Sequence, residues 1–258
     1  GEEPPAQWKN IINGHGPKFH FEFPGSTHGF RVESSMETNL EYSLQHTTEA
    51  AHSGTGSLKV VAKPLFPAEE LRVFHKTYYR PKDFHDNRYE PSFSPILYPG
   101  QTVKGCVMVP KGGENKFIAC LYVKDGNSGR YVESEKVELI EGKWYKLQLD
   151  IPPMDSACIE EVGLKLIPMH GFGSVTAVVY LDDFDFCGQP EYTLDFAEHQ
   201  MEVWNVLHQE VSQFTYLKGI WRLEDGELSG STNDFAEAYT GSYDWKDYSF
   251  EATMIPKR

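Results

Sequence analysis

The sequence predicts an all-β protein: an antiparallel β-sandwich over residues 10–188, followed by a smaller β unit over residues 191–258. Two observations predict the class. Short runs rich in Val, Ile, Leu, Phe and Tyr recur along the chain, and Gly, Pro, Asn and Asp separate them. The separators include PKGGEN, KDGNSG and EGK, which hold DG and GG, among the strongest hairpin cues. A third observation sets the boundary. Gly188, Gln189 and Pro190 interrupt the pattern, and the balance of charge then shifts, with 13 acids and 5 bases in residues 191–258 against 25 and 19 before them.

In chain order the expected strands are KFHFEF, GSLKVVAK, QTVKGCVMV, KFIACLYV, GRYVESEKVEL, KWYKLQLDI, EEVGLKLIP and VTAVVYLDDFDF. In a strand, alternate side chains face opposite ways. Val178, Tyr180, Asp182, Phe184 and Phe186 of the last run are therefore expected on one, core-facing side. Asp183 and Asp185 fall with Val179 and Leu181 on the other side, where water can meet them. A carboxylate facing a core needs a partner, and Asp182 therefore demands one. In the second unit, Met201, Trp204, Leu207 and Val211 are spaced as in a short amphipathic helix. Strand-like runs follow in GIWRLEDGELSGS, AEAYTG and YSFEATMI, with a tight hairpin at Glu224, Asp225 and Gly226. So few strands do not close a sandwich readily, and the unit reads as truncated. A small complete subdomain docked on the first is the other reading.

Composition narrows the function classes. With 24 Lys and Arg against 38 Asp and Glu, the net charge of −14 disfavours nucleic acid and anionic membranes as partners. No apolar stretch approaches the roughly 18 residues of a membrane span, and Gly1 reads as a cleavage scar on a piece of a longer protein. Four cysteines are too few for a disulfide scaffold, and no CxxC pair points to zinc. A hairpin centred on Gly113 would set Cys106 opposite Cys120, either as a disulfide or as two buried thiols. No catalytic signature is present. GSTHG, residues 25–29, lacks the serine position of a nucleophile elbow, HExxH does not occur, and phosphate-binding loops are absent.

The segment Tyr78–Tyr98, YYRPKDFHDNRYEPSFSPILY, is unlike a sandwich strand. Its aromatics, prolines and polar groups suit a long rigid loop, and such loops often carry function. Tyr79, Arg80, His85, Arg88 and Tyr89 are the candidate ligand contacts, because aromatic faces stack on sugar rings while polar groups meet hydroxyls. Alternatively the loop covers a sheet or packs on the second unit. Trp144, Trp221 and Trp245 are expected in apolar interiors.

FEF, then AAHSGTGSLKV, then GKWYKLQLDI, then VVYLDDFDF together resemble the calcium-containing jelly-roll carbohydrate-binding modules, which are galactose-binding-like. The resemblance covers about 180 residues. It implies a structural Ca²⁺ held by the carboxylates of Glu22 and Asp182 and by the carbonyls of His52 and Thr55, with Gly54 and Gly56 shaping the turn. The other partner open to Asp182 is a set of backbone amides, or a Lys, Tyr or Ser. KTYYRPKDFHDNRYEPSFSPILYPGQTV, WRLEDGELSGS and DWKDYSFEATMIP look similar to the accessory β-region of some bacterial ADP-ribosylglycohydrolase superfamily proteins. That similarity implies a covalently linked catalytic domain and a concanavalin-like second unit. The expected function is thus a non-catalytic carbohydrate-binding accessory module of a larger bacterial hydrolase, with a glycan as ligand. Its alternative is a structural or interaction module that binds no sugar.

Overall fold

The computed structural model describes residues 18–36, 39–77, 97–112, 116–126, 128–154, 159–169, 173–193, 196, 202–205, 208–210, 216–218, 220–231, 237–239 and 246–256. The chain divides into two compact units, Gly1–Tyr79 with Leu97–Leu194, and Arg80–Ile96 with Asp195–Arg258. The described residues form strands and no helix, so the protein is all-β, and among those residues no helix is long and apolar enough to cross a membrane.

The first unit contains β1 (Arg31–Ser34), β2 (Glu41–Thr47), β3 (Ser57–Leu65), β4 (Leu71–Lys76), β5 (Thr102–Met108), β6 (Phe117–Asp125), β7 (Tyr131–Glu133), β8 (Val137–Leu139), β9 (Tyr145–Asp150), β10 (Ile159–Pro168) and β11 (Val175–Cys187). A six-stranded sheet has the order β1-β4-β10-β6-β7, with β8 also paired to β6, and a five-stranded sheet has the order β2-β3-β11-β5-β9. All of their pairings are antiparallel. Alternation supplies the core. Val73, Leu121 and Leu164 from one sheet and Val60, Val107 and Val179 from the other belong to a single buried cluster. Each such side chain contributes about 1.5–3 kcal/mol on burial. Gly105 belongs to this layer because a Cβ there would lie 2.9 Å from the Phe184 ring.

Several expectations are corrected. KFHFEF forms no strand. Phe19 alone bridges Phe184, through backbone bonds of 2.9 and 3.1 Å, and Phe21 with φ +52° turns the chain away. GRYVESEKVEL divides into β7 and β8. The polar strands β1 and β2 were not anticipated, nor was β4, whose Leu71, Val73 and Phe74 are fully buried. Both β1 and β2 are sheet edges with mostly solvent-facing residues, so an apolar search passes over them. The strands β5 and β6 belong to different sheets, so Cys106 and Cys120 are not cross-strand partners, and both are buried free thiols.

The largest correction concerns β11. Ala177, Val179 and Leu181 are the core residues, not Val178 and Tyr180. A register shift between Asp182 and Asp185 marks a bulge, with Asp183 at φ +47°. An inserted residue reverses the alternation, so Phe184 and Phe186 still face the core while Asp182 lies on the outer face. Asp182 is nonetheless fully buried, under the turn that precedes β3.

In the second unit are β12 (Glu202–Asn205), β13 (His208–Glu210), β14 (Tyr216–Lys218), β15 (Ile220–Glu224), β16 (Glu227–Ser231) and β17 (Glu237–Tyr239). They pair as β12-β13, β14-β17 and β15-β16. The expected helix around Trp204 is therefore a bulged hairpin. An isolated helix of three turns is marginal in water, and the Val and Trp between Glu202 and Asn205 favour strand. The hairpin at Asp225 and Gly226 is as expected, with both residues at positive φ, the arrangement a two-residue I′ turn requires. The YSFEATMI run carries no strand, and Phe250 and Met254 are exposed.

Candidate functional site

The outer face of the six-stranded sheet is built by the same alternation that fills the core. With Leu71 and Val73, Val162 and Leu164, and Leu121 and Val123 facing inward, Arg72, Lys165, Tyr122 and Lys124 face outward. Register then places Lys165 opposite Arg72, Glu161 opposite Lys124, Glu133 opposite Tyr122 and Tyr131 opposite Lys124. Two cations side by side repel. Acids resolve this: the Lys165 ammonium donates to Glu133 and lies 3.1 Å from Glu70, with its side chain only 4% exposed. Arg72 donates to the Tyr131 hydroxyl and to Glu33 Oε2 at 3.1 Å. Glu161 takes Lys124 Nζ at 3.3 Å and the Tyr122 hydroxyl at 3.4 Å.

Aromatic rings complete the array. Tyr122 and Tyr131 lie 5.5 Å apart, and Lys165 Nζ stands 4.2 Å from the Tyr131 centroid. Tyr122 is fully buried, whereas Tyr131 is 38% exposed. Burial, then the Glu161 charge, pushes the Tyr122 phenol well above its ordinary range. Burial pulls Lys165 down, but its hydrogen bonds to Glu133 and Glu70 outweigh this and the net direction is up. Glu133 is likewise burdened by burial yet held low by the Lys165 hydrogen bond. The Arg72 Nε is shielded from water and has no hydrogen-bond partner among the described residues. An exposed ring beside desolvated donors and acceptors is the general make-up of a small-ligand surface.

A second cluster occupies the corner where β11 bulges beneath the turn before β3. Asp182 Oδ2 accepts from the amides of His52 at 2.7 Å and Ser53 at 3.1 Å, and Oδ1 accepts from the Asp183 amide at 2.7 Å. Burial raises the Asp182 carboxyl to about 6, offset in part by those amides and reinforced by the Asp183 charge. Glu22 Oε1 accepts from the amides of Thr55 at 3.0 Å and Gly56 at 3.2 Å, and Oε2 accepts from the Thr55 hydroxyl at 2.8 Å. Gly54 has φ +61°, and a Cβ there would lie 2.1 Å from Glu22 Oε1, so only glycine lets the turn wrap this closely.

Glu22, His52, Thr55 and Asp182 are thus brought to one corner, while Tyr79, Arg80, His85, Arg88 and Tyr89 lie outside the described residues. Amides hold Asp182, one of the two partners its burial left open. For a cation the corner fits in charge, since Glu22, Asp182 and Asp183 are three carboxylates whose hydrogen-bond partners among the described residues include no Lys or Arg. What faces the carboxylates from His52 and Thr55 is N–H rather than carbonyl oxygen. Asp183 does not simply meet water: His52 Nδ1 lies 2.6 Å from its Oδ2, and the Ser53 hydroxyl donates to its Oδ1 at 2.6 Å. Trp144 is half-buried and outside the core, edge-on to His52 at 5.7 Å. Sequence reasoning missed the outer-face array. Its signal was the polar residues punctuating apolar runs, as Lys165 does between Leu164 and Leu166 and Arg72 between Leu71 and Val73.

Neither protein-family models nor curated protein sequences give a match to the chain. Among solved structures, it is similar to a protein described by the promiscuous specificity of carbohydrate-binding modules from the β-sandwich superfamily, at 17% identity and TM-score 0.47, covering 67% of this chain and 63% of that one. It is similar to a CBM22 xylan-binding domain from Paenibacillus barcinonensis at 17% identity and TM-score 0.41, covering 65% and 90%. A family 22 carbohydrate-binding module of Clostridium thermocellum follows at 19% identity and TM-score 0.40, covering 71% and 95%.

Proposed function

We propose that the first unit is a non-catalytic glycan-binding module whose ligand lies on the outer face of the six-stranded sheet. The observation that carries this reading is the exposed Tyr131 ring set among Arg72, Glu133 and Lys165. A sugar ring presents an apolar face to such an aromatic and hydroxyls to the flanking groups. With the cations Arg72, Lys124, Lys136 and Lys165 outnumbered by the carboxylates Glu33, Glu70, Glu133, Glu160 and Glu161, the face suits a neutral polyhydroxylated ligand better than a phosphate or a polyanion. Tyr79, Arg80, His85, Arg88 and Tyr89, in the segment that follows β4, are the competing contact set for the same ligand.

Two further parts of the reading follow from the motif resemblance. Ca²⁺ would be held by the Glu22 and Asp182 carboxylates and would neutralise their charge. His52 and Thr55 would add their carbonyl oxygens only if the turn re-aimed them, since their amides face those carboxylates. A covalently linked hydrolase domain would gain effective concentration on the glycan held beside it. On the same face as the array Phe74, Cys120 and Tyr122 are already fully buried within the chain, so the ligand would meet the array at its Tyr131 end. The alternative is an interaction module that binds no sugar.

A glycan array probed with the whole chain tests the proposal. Binding to neutral polysaccharide that weakens at least tenfold, about 1.4 kcal/mol, in Tyr131→Ala supports it. No binding to any neutral glycan contradicts it.

A further inference from the structure

The corner beneath the bulge holds a side-chain set that glycan binding does not use. His52 comes from the turn, Cys106 from β5, and Asp183 from the bulge of β11. One ligand atom from each lies within 4.8 Å of the others. We propose that His52, Cys106 and Asp183 form a three-ligand site for Zn²⁺ or a chemically similar transition-metal ion, with a fourth position taken by water.

The backbone is arranged to deliver these groups. Cys106 and Asp182 are register partners, which brings the thiol to the outer face of the five-stranded sheet. Asp183 would point into the core behind Leu181 if β11 continued its alternation. Instead the bulge, with Asp183 at φ +47°, re-aims its carboxylate at the turn. A left-handed conformation at a residue other than glycine is uncommon and often marks a functional position.

The donor chemistry discriminates among ions. Nitrogen, sulfur and oxygen together suit Zn²⁺, Co²⁺ or Cu²⁺, whereas Ca²⁺ and Mg²⁺ take oxygen. In a tetrahedral zinc site with bonds of about 2.0–2.3 Å, ligand atoms stand roughly 3.3–3.7 Å apart. The 2.6 Å contact between His52 Nδ1 and Asp183 Oδ2 would open by about 1 Å or less to admit the ion. On binding, the Cys106 thiol releases its proton to water and the thiolate bonds the metal. The Ser53 hydroxyl on Asp183 Oδ1 and the Trp144 edge on His52 hold the ligands in place, as outer-shell partners do. A cysteine nucleophile is the other chemistry such a trio could offer. Cys106 is only 5% exposed, which does not suit attack on a substrate.

Titration of the metal-free chain with Co²⁺ tests the site. The expected result is a thiolate-to-cobalt charge-transfer band that saturates at one equivalent, is bleached by Zn²⁺ and persists in a hundredfold excess of Ca²⁺. It should vanish in Cys106→Ser and in His52→Ala, and remain in Cys120→Ser and Cys187→Ser. If Cys106→Ser does not fold, His52→Ala, altered at a half-buried turn position, gives the same reading. Absence of the band, its survival in either ligand variant, or its loss to Ca²⁺ would overturn the proposal. None of these readouts depends on a glycan.

Discussion

The outer face of the six-stranded sheet and the corner beneath the β11 bulge both keep ionisable groups from water, by different means. On the sheet face, charge meets charge: Lys165 lies between Glu70 and Glu133, and Arg72 lies between Glu33 and Glu161. In the corner, backbone dipoles meet charge: three amides converge on Asp182 and two on Glu22. Side chains can be re-paired by rotation, and several of the acids on the sheet face are partly exposed. Amides fixed in a turn cannot move without unfolding it. The first arrangement therefore leaves room to exchange partners with a ligand, whereas the second locks a turn to a strand.

This contrast predicts unequal costs. Asp182→Ala leaves three part-buried amides without their acceptor, and a loss of about 2–3 kcal/mol is expected, read as a fall of roughly 5–10 °C in melting temperature. Gly54→Ala, which forces a side chain onto Glu22, should fall in the same range. A smaller loss than for Lys165→Ala would break the comparison.

A third treatment of titratable groups sharpens it. His28 sits among Phe19, Phe21 and Phe23 with its Nε2 buried and unpartnered among the described residues. Burial first, then the His20 and His75 charges, lowers it to about 4. A histidine depressed on folding binds its proton more weakly in the native state. Its contribution to stability is therefore complete above the unfolded value near 6.5 and is lost as pH falls toward 4. Between pH 8 and pH 5 its contribution is expected to fall by about 1 kcal/mol, allowing for the half-buried ring. The readout is the difference between the urea melts of the parent chain and His28→Phe, because Asp182, raised to about 6, titrates the opposite way in the same window. An equal pH dependence in both chains would contradict this.

Lys165→Ala should cost less, about 1–2 kcal/mol, because Glu70 and Glu133 reach water once unpaired. Added salt should narrow its difference from the parent chain, and salt should leave the Asp182→Ala difference nearly unchanged.

What was legible in the sequence follows the same physics. Apolar alternation identified β3, β5, β6, β9, β10 and β11, because the sandwich core selects for it. The edge strands β1 and β2 carry too few apolar residues to register. The bulge was invisible, since two aspartates in a row read as ordinary alternation, and missing it put Asp182 on the wrong face and left Asp183 without a role. Glu22, His52, Thr55 and Asp182 were legible as one corner through the motif order, yet the direction of the turn's amides was not. Arg72, Tyr131, Glu133 and Lys165 come from strands far apart in sequence, and only the register of β4, β10, β6 and β7 gathers them.

The central claim is that a glycan binds the outer face of the six-stranded sheet. Isothermal titration of one array-positive soluble polysaccharide into the parent chain, Tyr131→Ala, Tyr79→Ala and Tyr89→Ala tests it most directly. Binding abolished or weakened at least tenfold in Tyr131→Ala, and retained in the other two, is the predicted result. Unchanged affinity in Tyr131→Ala, with loss in Tyr79→Ala or Tyr89→Ala, would contradict it.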